Sequence, residues 1–504
     1  VIGELNSDVE FSKNEIFKFL KKYEISYFEK LNVVGKIKKK FEIVLDSTLK
    51  LIDYKLSATG NIKKSEIKLS NAFKLNLLKN EVNDLKLQKT EFKIDYDKKK
   101  FKNLYLKGQY SVNSKSPQKF EFSNIYSDKQ KIIFNGDFNS EINIPLLNYS
   151  TNDRNINIKA ELDIKKNSIN LNNITLKDGK SKIDVNNMSI KNKQLVRFNN
   201  IKIKTYKEYN ELNNDFTIDF TNKLKISGSK YDAKNLTKFF DNDSSSKFLN
   251  NISKEIAVNL DEINTDVSNK ITNFNLIGSI QKGRFNKIVS KGEFYENKYL
   301  EISLREDEVS KMKILEIYSD LPKTLLSNYK FFDGISGGSL LLNSYYNTKI
   351  SNTQLIIENF KVKNAPNFVK LLSLADFGGM ADAISGEGLS FEKLEMKIEK
   401  DNKLLNLREL YAIGPSISIL MEGYVESKSD LVSLRGTMVP AKTLNKFLSK
   451  VPIVGDILIP KEIGEGLFGI SFKMKGTQGN IKTTVNPIKS LTPRFIQRAI
   501  KKAK

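Results

Sequence analysis

Strict alternation of apolar and polar residues constrains this chain more than any other feature. The clearest run places Ile156, Ile158, Ala160, Leu162 and Ile164 at every second position, with Asn, Lys, Glu and Asp between them. Side chains two apart share one face of a β-strand, so the run predicts a strand with one apolar face. The same pattern recurs at Phe216, Ile218, Phe220, Phe274, Leu276, Ile280, Leu394, Met396, Ile398, Ile417, Ile419, Met421, Val432, Leu434, Ile470, Phe472 and Met474.

Short turns separate these predicted strands, as at residues 177–180 (Lys-Asp-Gly-Lys), and such spacing favours antiparallel all-β structure. A sheet with one apolar face has to cover that face. Helices cannot do so here, because the candidates are few and short: 12–22, 233–240, 366–375, 441–449 and 492–503. The pattern is therefore compatible with a sandwich, a closed barrel, or a long curled sheet whose apolar face lines a groove for an apolar ligand.

Composition narrows the chemistry that the chain can perform. Its 504 residues include no His, Cys or Trp, which excludes Ser-His-Asp and Cys-His catalysis and also His or thiolate metal sites. Asp241 and Asp243 begin a stretch that resembles a calcium loop, but its twelfth position is Ile252, which offers no oxygen ligand. No carboxylate pair stands out as an acid–base couple. We predict a protein that is not an enzyme, with no catalytic residue, metal or cofactor.

The formal net charge of +24 indicates an anionic partner such as nucleic acid, a membrane surface or an acidic polymer. Lysine alternates with apolar residues along most of the chain, so we interpret most of this charge as solvated strand faces. The basic run Lys98–Lys102 lies between two alternating segments and fits a hairpin turn. Without the signature of a nucleic-acid module, we predict no nucleic-acid binding.

The glycines of GEGLFG, residues 464–469, have the spacing of a dinucleotide-binding loop. That loop requires a following helix and then an acidic residue about 20 positions on. Here a strand-like alternation follows, and no Asp or Glu occurs from Ile470 to Lys504. The glycines are better explained by a tight turn that enters a strand.

A basic amphipathic helix is predicted near the C-terminus. Phe495, Ile496 and Ile500 share one face, whereas Arg494 and Arg498 lie elsewhere. Such a helix can lie on an anionic membrane or dock on a partner, and it can equally cap the last strands. A faint internal repeat relates residues 228–240 to 436–448, each running from a strand into a short helix.

Targeting signals are not visible in the sequence. It contains no run of 18 apolar residues and no recognisable secretory signal. Because it starts at Val1 rather than Met, we expect it to be a piece of a longer protein from which an N-terminal anchor or signal has been removed.

Residues 360–500 resemble the AsmA-like C-terminal region of the large YhdP-type proteins of the bacterial envelope. Order and spacing are kept over this range, which is more specific than any single motif. A Gly-Gly-containing segment at residues 320–342 also looks like that family. Residues 1–300 match it only in their general pattern of short alternating strands and few helices. The stretches that carry the resemblance are NAPNFVKLL (364–372), GEGLSF (386–391), GPSISILMEG (414–423), LRGTMVP (434–440), VPIVGDIL (451–458), GEGLFGISFKMKG (464–476) and VNPIKSLTPRF (485–495).

The resemblance implies a mainly β fold, an elongated, twisted antiparallel sheet curled into an open hydrophobic groove with a few short amphipathic helices, similar to TamB and to bridge-like lipid-transfer proteins. It divides the chain into a repeating β-groove region, 1–350, and an AsmA-like region, 351–504, whose helices close the end. The alternating apolar residues named above become candidate lining of a lipid groove. Arg494, Phe495, Ile496, Arg498 and Ile500 become candidate membrane or partner contacts.

The implied function is conduction of phospholipid between the inner and outer membranes, in support of outer-membrane integrity. The expected location is the periplasm, with an inner-membrane anchor in the full-length protein and the C-terminus on the outer-membrane side. Envelope proteins are possible partners. The alternative is a structural or assembly factor for the outer membrane, which binds protein partners along its sheet edges and carries no lipid.

Overall fold

The computed structural model describes most of the chain. The described residues are 1–11, 28–75, 77–98, 102–152, 154–207, 210–236, 249–265, 270–295, 297–326, 334–363, 372, 386–401, 404–426, 429, 431–440, 469–477 and 480–488.

The first half of the described chain consists of short and medium strands with one 3-10 helix, η1. The strands are β1 (Ile2–Phe11), β2 (Phe28–Leu45), β3 (Leu51–Phe73), β4 (Val82–Asp97), β5 (Lys102–Val112), β6 (Gln118–Tyr126), β7 (Gln130–Phe138), β8 (Asn143–Ile144), β9 (Tyr149–Ser150), β10 (Ile156–Lys165), β11 (Ser168–Asp178), β12 (Ser181–Lys191), β13 (Gln194–Arg197), β14 (Asn200–Tyr206), β15 (Leu212–Asp219), β16 (Leu224–Asp232) and β17 (Lys254–Asn264), with η1 at Pro145–Leu147.

The second half continues in the same way and includes one short α-helix, α1 (Pro322–Leu326). Its strands are β18 (Lys270–Gln281), β19 (Arg284–Glu293), β20 (Tyr299–Glu306), β21 (Lys313–Ser319), β22 (Ile335–Tyr346), β23 (Ser351–Val362), β24 (Leu389–Lys400), β25 (Leu404–Ile413), β26 (Ile417–Glu426), β27 (Leu431–Pro440), β28 (Gly469–Thr477) and β29 (Asn480–Ile488).

The mainly β fold predicted from the alternation is confirmed. A twisted mixed sheet contains 27 of these strands, and a separate two-stranded ribbon is formed by β8 and β9. The chain divides into two compact units. Unit 1 comprises residues 1–264 and 279–284, and unit 2 comprises 265–278 and 285–504. The division at residue 350 implied by the resemblance stays a prediction.

In unit 1 the strands pair mostly with their neighbours in the chain, from β1 to β7, then from β10 through β12 and β14 to β16. These pairs are antiparallel, as expected. The exception is β16–β17, which is parallel. A parallel pair needs a crossover connection, which here falls between Asp232 and Lys254. In unit 2, β19 to β29 pair antiparallel in chain order.

The turn predicted at residues 177–180 is present. Asp178 pairs with Ser181, which leaves Gly179 and Lys180 as a two-residue hairpin turn. Gly179 has φ +54°, a conformation that glycine adopts without steric cost. The predicted basic turn Lys98–Lys102 lies largely outside the described residues, of which Lys98 follows β4 and Lys102 begins β5.

The largest buried cluster of the described residues lies in unit 2. It takes its side chains from one face of β22 to β28 and adds Leu326 of α1 and Leu372. Ile357, Ile417 and Met438 in this cluster are completely buried. No helix among the described residues is long and apolar enough to cross a membrane.

Truncation of Ile357 tests how much this cluster contributes to the stability of unit 2. Ile357→Ala removes a side chain with 0 % exposure, and we expect a loss of about 2–5 kcal/mol in the free energy of unfolding of unit 2. Urea denaturation followed by tyrosine fluorescence measures it. Ile350→Ala is the matched control, because Ile350 is 45 % exposed and its loss leaves no cavity. Equal effects of the two substitutions would contradict the assignment of the core.

Candidate functional site

The register of unit 1 gathers the alternating apolar residues on one face of the sheet. Directly opposite residues share a face, and such pairs run unbroken across several strands. One row comprises Ile158, Leu176, Ile183, Ile203 and Phe216 on β10, β11, β12, β14 and β15. A second row comprises Ala160, Ile174, Val185, Ile201, Ile218 and Ile226. We call this the apolar face of unit 1.

The opposite, polar face of unit 1 carries the intervening charged residues. Ion pairs cross between neighbouring strands, such as Lys38–Glu4 at 3.2 Å and Lys204–Asp215 at 3.0 Å. The side chains of both pairs are at least one-third exposed, and exposed ion pairs contribute little to stability. This confirms that lysines between apolar strand positions lie on a solvated face, as we interpreted them.

Residues 141–152, between β7 and β10, form a capping segment at one end of unit 1. It contains β8, η1 and β9. The Asn143 N–H donates to the Leu77 carbonyl at 2.8 Å, and the Leu147 carbonyl accepts from the amides of Asn213 at 3.1 Å and Asn214 at 2.8 Å. The capping segment therefore joins the β3–β4 connection to β15.

These contacts indicate a curled sheet in unit 1. Asn143 and Leu147 are four residues apart, so the chain between them spans at most about 14 Å. On a flat sheet, β4 and β15 would lie eight strand spacings apart, which is about 38 Å. Asn214 lies two residues before Phe216 on the apolar face, and it bonds the capping segment. The sheet thus curls towards its apolar face, and the capping segment covers one end of the curl.

A buried polar network holds the capping segment in place. Asp232 is completely buried and accepts from the Lys207 ammonium at 2.6 Å and from the Asn148 amide at 3.0 Å. The Asp232 N–H in turn donates to the side-chain oxygen of Asn214 at 2.9 Å. Buried charges persist only when they are paired and hydrogen-bonded, and this carboxylate meets both conditions.

A second anchor lies at the end of β11. The Tyr149 hydroxyl donates to the Asp178 carboxylate at 2.7 Å, and the Arg154 guanidinium contacts the same carboxylate at 2.8 Å. Burial raises the pKa of the Tyr149 hydroxyl, and the hydrogen bond to Asp178 raises it further. Burial also raises the pKa of Tyr231, whose hydroxyl donates to the Leu146 carbonyl at 3.0 Å. Both tyrosines therefore remain neutral hydrogen-bond donors at the capped end.

The opposite ends of the same strands form the open end of unit 1. Exposure of the apolar face rises along the strands towards it. On β4, Leu87 near the capped end is 8 % exposed and Ile94 near the open end is 38 % exposed. On β3 the corresponding values are 9 % for Ile62 and 40 % for Leu56. Among the described residues no second sheet lies over this face apart from the β8–β9 ribbon. Unit 1 is a pouch, closed at one end and open at the other.

The candidate lining residues of unit 1 all fall in or next to strands. Ile156 is buried at the capped end, while Ile158, Leu162 and Ile164 on the same strand are half-buried. Phe216 and Ile218 lie on β15, and Phe220 follows that strand directly. Phe220 and Ile280 belong to a cluster with Leu195, Phe198 and Ile252.

The remaining candidates lie on β18 and in unit 2. Phe274 and Leu276 on β18 are half-buried. The register places the rest on one face of unit 2, since neighbours such as Met396 and Leu410, Leu410 and Met421, or Leu434 and Met474 lie directly opposite. These candidates are Leu394, Met396, Ile398, Ile417, Ile419, Met421, Val432, Leu434, Ile470, Phe472 and Met474.

Burial distinguishes unit 2 from unit 1. Nine of those eleven side chains are buried, and only Ile398 and Met474 are half-buried. They pack in the cluster that includes Leu326 and Leu372. Their role as lipid-groove lining stays a prediction.

Several predicted features lie outside the described residues. These are the proposed contacts Arg494, Phe495, Ile496, Arg498 and Ile500, the helices at 12–22, 441–449 and 492–503, the acidic stretch 241–243, and nearly all of helix 366–375 and of GEGLFG.

Sequence reasoning missed the capping segment and its anchors. Asn213 and Asn214 interrupt the alternation at the start of β15, which is the one signal that could have marked them. It also missed the open-end residues Leu56 of β3 and Ile94 of β4, although Phe92, Ile94 and Tyr96 alternate with charged residues.

No group of three or more Asp or Glu residues in the described part of the chain could hold a metal ion. The pouch instead offers a mainly apolar surface, in which a few polar residues such as Lys39 and Asn124 stand among the apolar ones. No protein-family model matches the sequence, and no curated protein matches it either.

The anchoring role of Asn214 can be measured directly. Asn214→Ala removes the bonds to Leu147, Thr205 and the Asp232 N–H. We expect a cost of about 1–3 kcal/mol, because buried partners are left unsatisfied. Amide hydrogen exchange of Asn143 and Thr151 should accelerate accordingly. Asn167→Ala, at an exposed turn of the open end, is the control. Unchanged exchange in Asn214→Ala would contradict the anchor.

Proposed function

We propose that this protein binds phospholipid acyl chains against the apolar face of unit 1 and conducts phospholipid between the membranes of a bacterial envelope. The observation that carries the proposal is the half-exposed apolar face towards the open end, over which the described residues place no second sheet. Monomeric proteins rarely leave a large contiguous apolar surface uncovered, and such surfaces typically bind apolar ligands or partners.

The chemistry of this face suits an acyl chain. Aliphatic and aromatic side chains form most of it, and each methylene moved from water onto such a surface gains about 0.8 kcal/mol. A ligand with a defined shape needs a few placed polar groups to orient it. The rows described above contain none, so the face favours a flexible hydrocarbon.

Continuity of the apolar rows supports conduction as well as binding. The row that begins at Ala160 crosses six strands, or about 24 Å, without meeting a polar side chain. An acyl chain can move from one strand to the next along such a row without re-entering water. The head group remains in solvent. The resemblance of residues 360–500 to envelope proteins supports the two membranes as source and destination.

Two isoleucines of equal exposure provide the test for acyl binding. Ile94 on the apolar face is 38 % exposed, and Ile133 on the polar face of β7 is 37 % exposed. Ile94→Glu places a carboxylate among the acyl chains, and we expect binding of a fluorescent phospholipid to weaken at least about tenfold, or 1.4 kcal/mol. Ile133→Glu adds the same charge and should leave binding unchanged.

Mass spectrometry of lipids that co-purify with the protein gives an independent readout. The wild type and Ile133→Glu should carry phospholipid, and Ile94→Glu should carry much less. Absence of lipid from the wild type after gentle extraction would overturn the proposal and favour the assembly-factor alternative. Equal lipid in all three proteins would remove the apolar face of unit 1 as the binding site.

A further inference from the structure

The hairpin between β2 and β3 projects beyond β4 at the open end. The last backbone bond between β3 and the β4 side runs from the Lys98 N–H to the Tyr54 carbonyl at 3.2 Å. Residues 44–53, which we call the tip, therefore extend past β4, by about 10 Å.

The tip exposes aliphatic side chains among polar ones. Five of its side chains are aliphatic and 38–79 % exposed: Val44, Leu45, Leu49, Leu51 and Ile52. The alternation of the β-strand should hide one face of a hairpin, yet both faces of the tip show aliphatic residues to solvent. Folding of unit 1 gains nothing from them where they stand.

Leu49 is the least expected of the five. It has φ +60°, a left-handed conformation in which glycine and asparagine are favoured, and it is 79 % exposed. The Asp46 carboxylate accepts from the N–H of Thr48 at 2.8 Å and from the N–H of Lys50 at 2.9 Å, which fixes the turn around it. Neither backbone conformation nor packing selects a leucine here. A residue that breaks a local rule without structural gain points to function.

Lysines surround the tip along the open end. Each of the six hairpin connections at this end carries an exposed lysine: Lys50, Lys98, Lys129, Lys166, Lys193 and Lys223. Lys129 pairs with Asp163 at 2.6 Å. Lys50, Lys166, Lys193 and Lys223 have no carboxylate within ion-pair distance in the described part of the chain. At the capped end, by contrast, the Asp178 and Asp232 carboxylates neutralise the basic side chains of Arg154 and Lys207.

Two tyrosines lie at the edge of the apolar face next to the open end. Tyr96, Lys102 and Tyr126 lie directly opposite one another on β4, β5 and β6, at apolar-face positions next to the open end. The Lys102 ammonium lies 5.2 Å from the centre of the Tyr96 ring. Tyrosine combines an apolar ring with a polar hydroxyl and is favoured where hydrocarbon meets water.

We propose that the open end of unit 1 docks on a bilayer that contains anionic phospholipid, with the tip inserted among the lipids and with Lys50, Lys166, Lys193 and Lys223 on their phosphates. Charge complementarity selects this partner, because lysines near a surface add to its affinity for anionic lipid. The exposed aliphatic tip supplies the insertion. Docking would bring the pouch opening to the membrane, but it does not depend on acyl binding inside the pouch.

Vesicle flotation tests docking. Wild-type protein should float with vesicles of phosphatidylglycerol and phosphatidylcholine, and much less with phosphatidylcholine alone. Leu49→Asn suits the positive φ, so the turn should be preserved, and vesicle affinity should fall by about tenfold through loss of one inserted leucine. The triple variant Lys166→Glu, Lys193→Glu and Lys223→Glu should abolish the preference for anionic vesicles.

Matched controls separate docking from general surface effects. Val309→Asn alters an aliphatic side chain that is 93 % exposed on another turn, and it should float like the wild type. The triple variant Lys119→Glu, Lys159→Glu and Lys202→Glu changes the net charge equally on exposed lysines of the polar face and should keep the preference. Equal losses in both triple variants, or full affinity in Leu49→Asn, would overturn the docking surface.

Failure of docking and failure of acyl binding give different results. Ile94→Glu should still float with anionic vesicles, although it binds the fluorescent phospholipid poorly. Wild-type protein that floats but carries no lipid would overturn the proposed function alone. Wild-type protein that carries lipid but does not float with anionic vesicles would overturn the docking proposal alone.

Discussion

Cross-strand register is the constraint on which the rest of this structure depends. Side chains alternate between the faces of a strand, so a slip of one residue would turn an apolar row towards water. β-Bulges correct the register where the sequence breaks its alternation, as two examples show. In unit 1, Leu171 and Ile174 are three residues apart and still share the apolar face, because β11 carries an extra residue opposite Glu161 and Leu162. In unit 2, Leu407 and Leu410 of β25 are also three residues apart and share a face, because β25 carries an extra residue where β26 runs from Met421 to Gly423.

Curvature in unit 1 follows from a small number of polar contacts. A twisted sheet with one apolar face can pack its side chains against each other only if it curls. The capping segment fixes that curl, since Asn143 and Leu147, four positions apart, bond the β3–β4 connection and β15, which a flat sheet would hold far apart. The buried Asp232 and Asn214 make this attachment specific, because any other placement would leave their polar groups without partners.

The sequence predicted the strands well and the capping segment not at all. Alternation is a local signal, so the strands containing Ile156, Leu394 and Ile470 could be located without knowledge of their neighbours. The turn at Gly179 could be located for the same reason. The parallel pairing of β16 with β17 and the contact of Asn214 with Leu147 join residues 32 or more positions apart, and no local pattern encodes them. Burial escaped prediction too: the same alternation gives half-buried Ile158 and fully buried Ile417.

Different residues of unit 1 serve stability and binding, the former near the capped end and the latter near the open end. Near the capping segment, side chains such as Leu87 and Phe120 are buried by their own neighbours and contribute to folding whether or not a ligand is present. Near the open end, Leu56 and Ile94 have no such cover, so their apolar surface gains free energy only when something from outside occupies it. A ligand or membrane can therefore associate there without displacing any packed side chain. An apolar face that curls tightly at one end and opens at the other can hold a stable fold and still leave hydrocarbon surface free to bind.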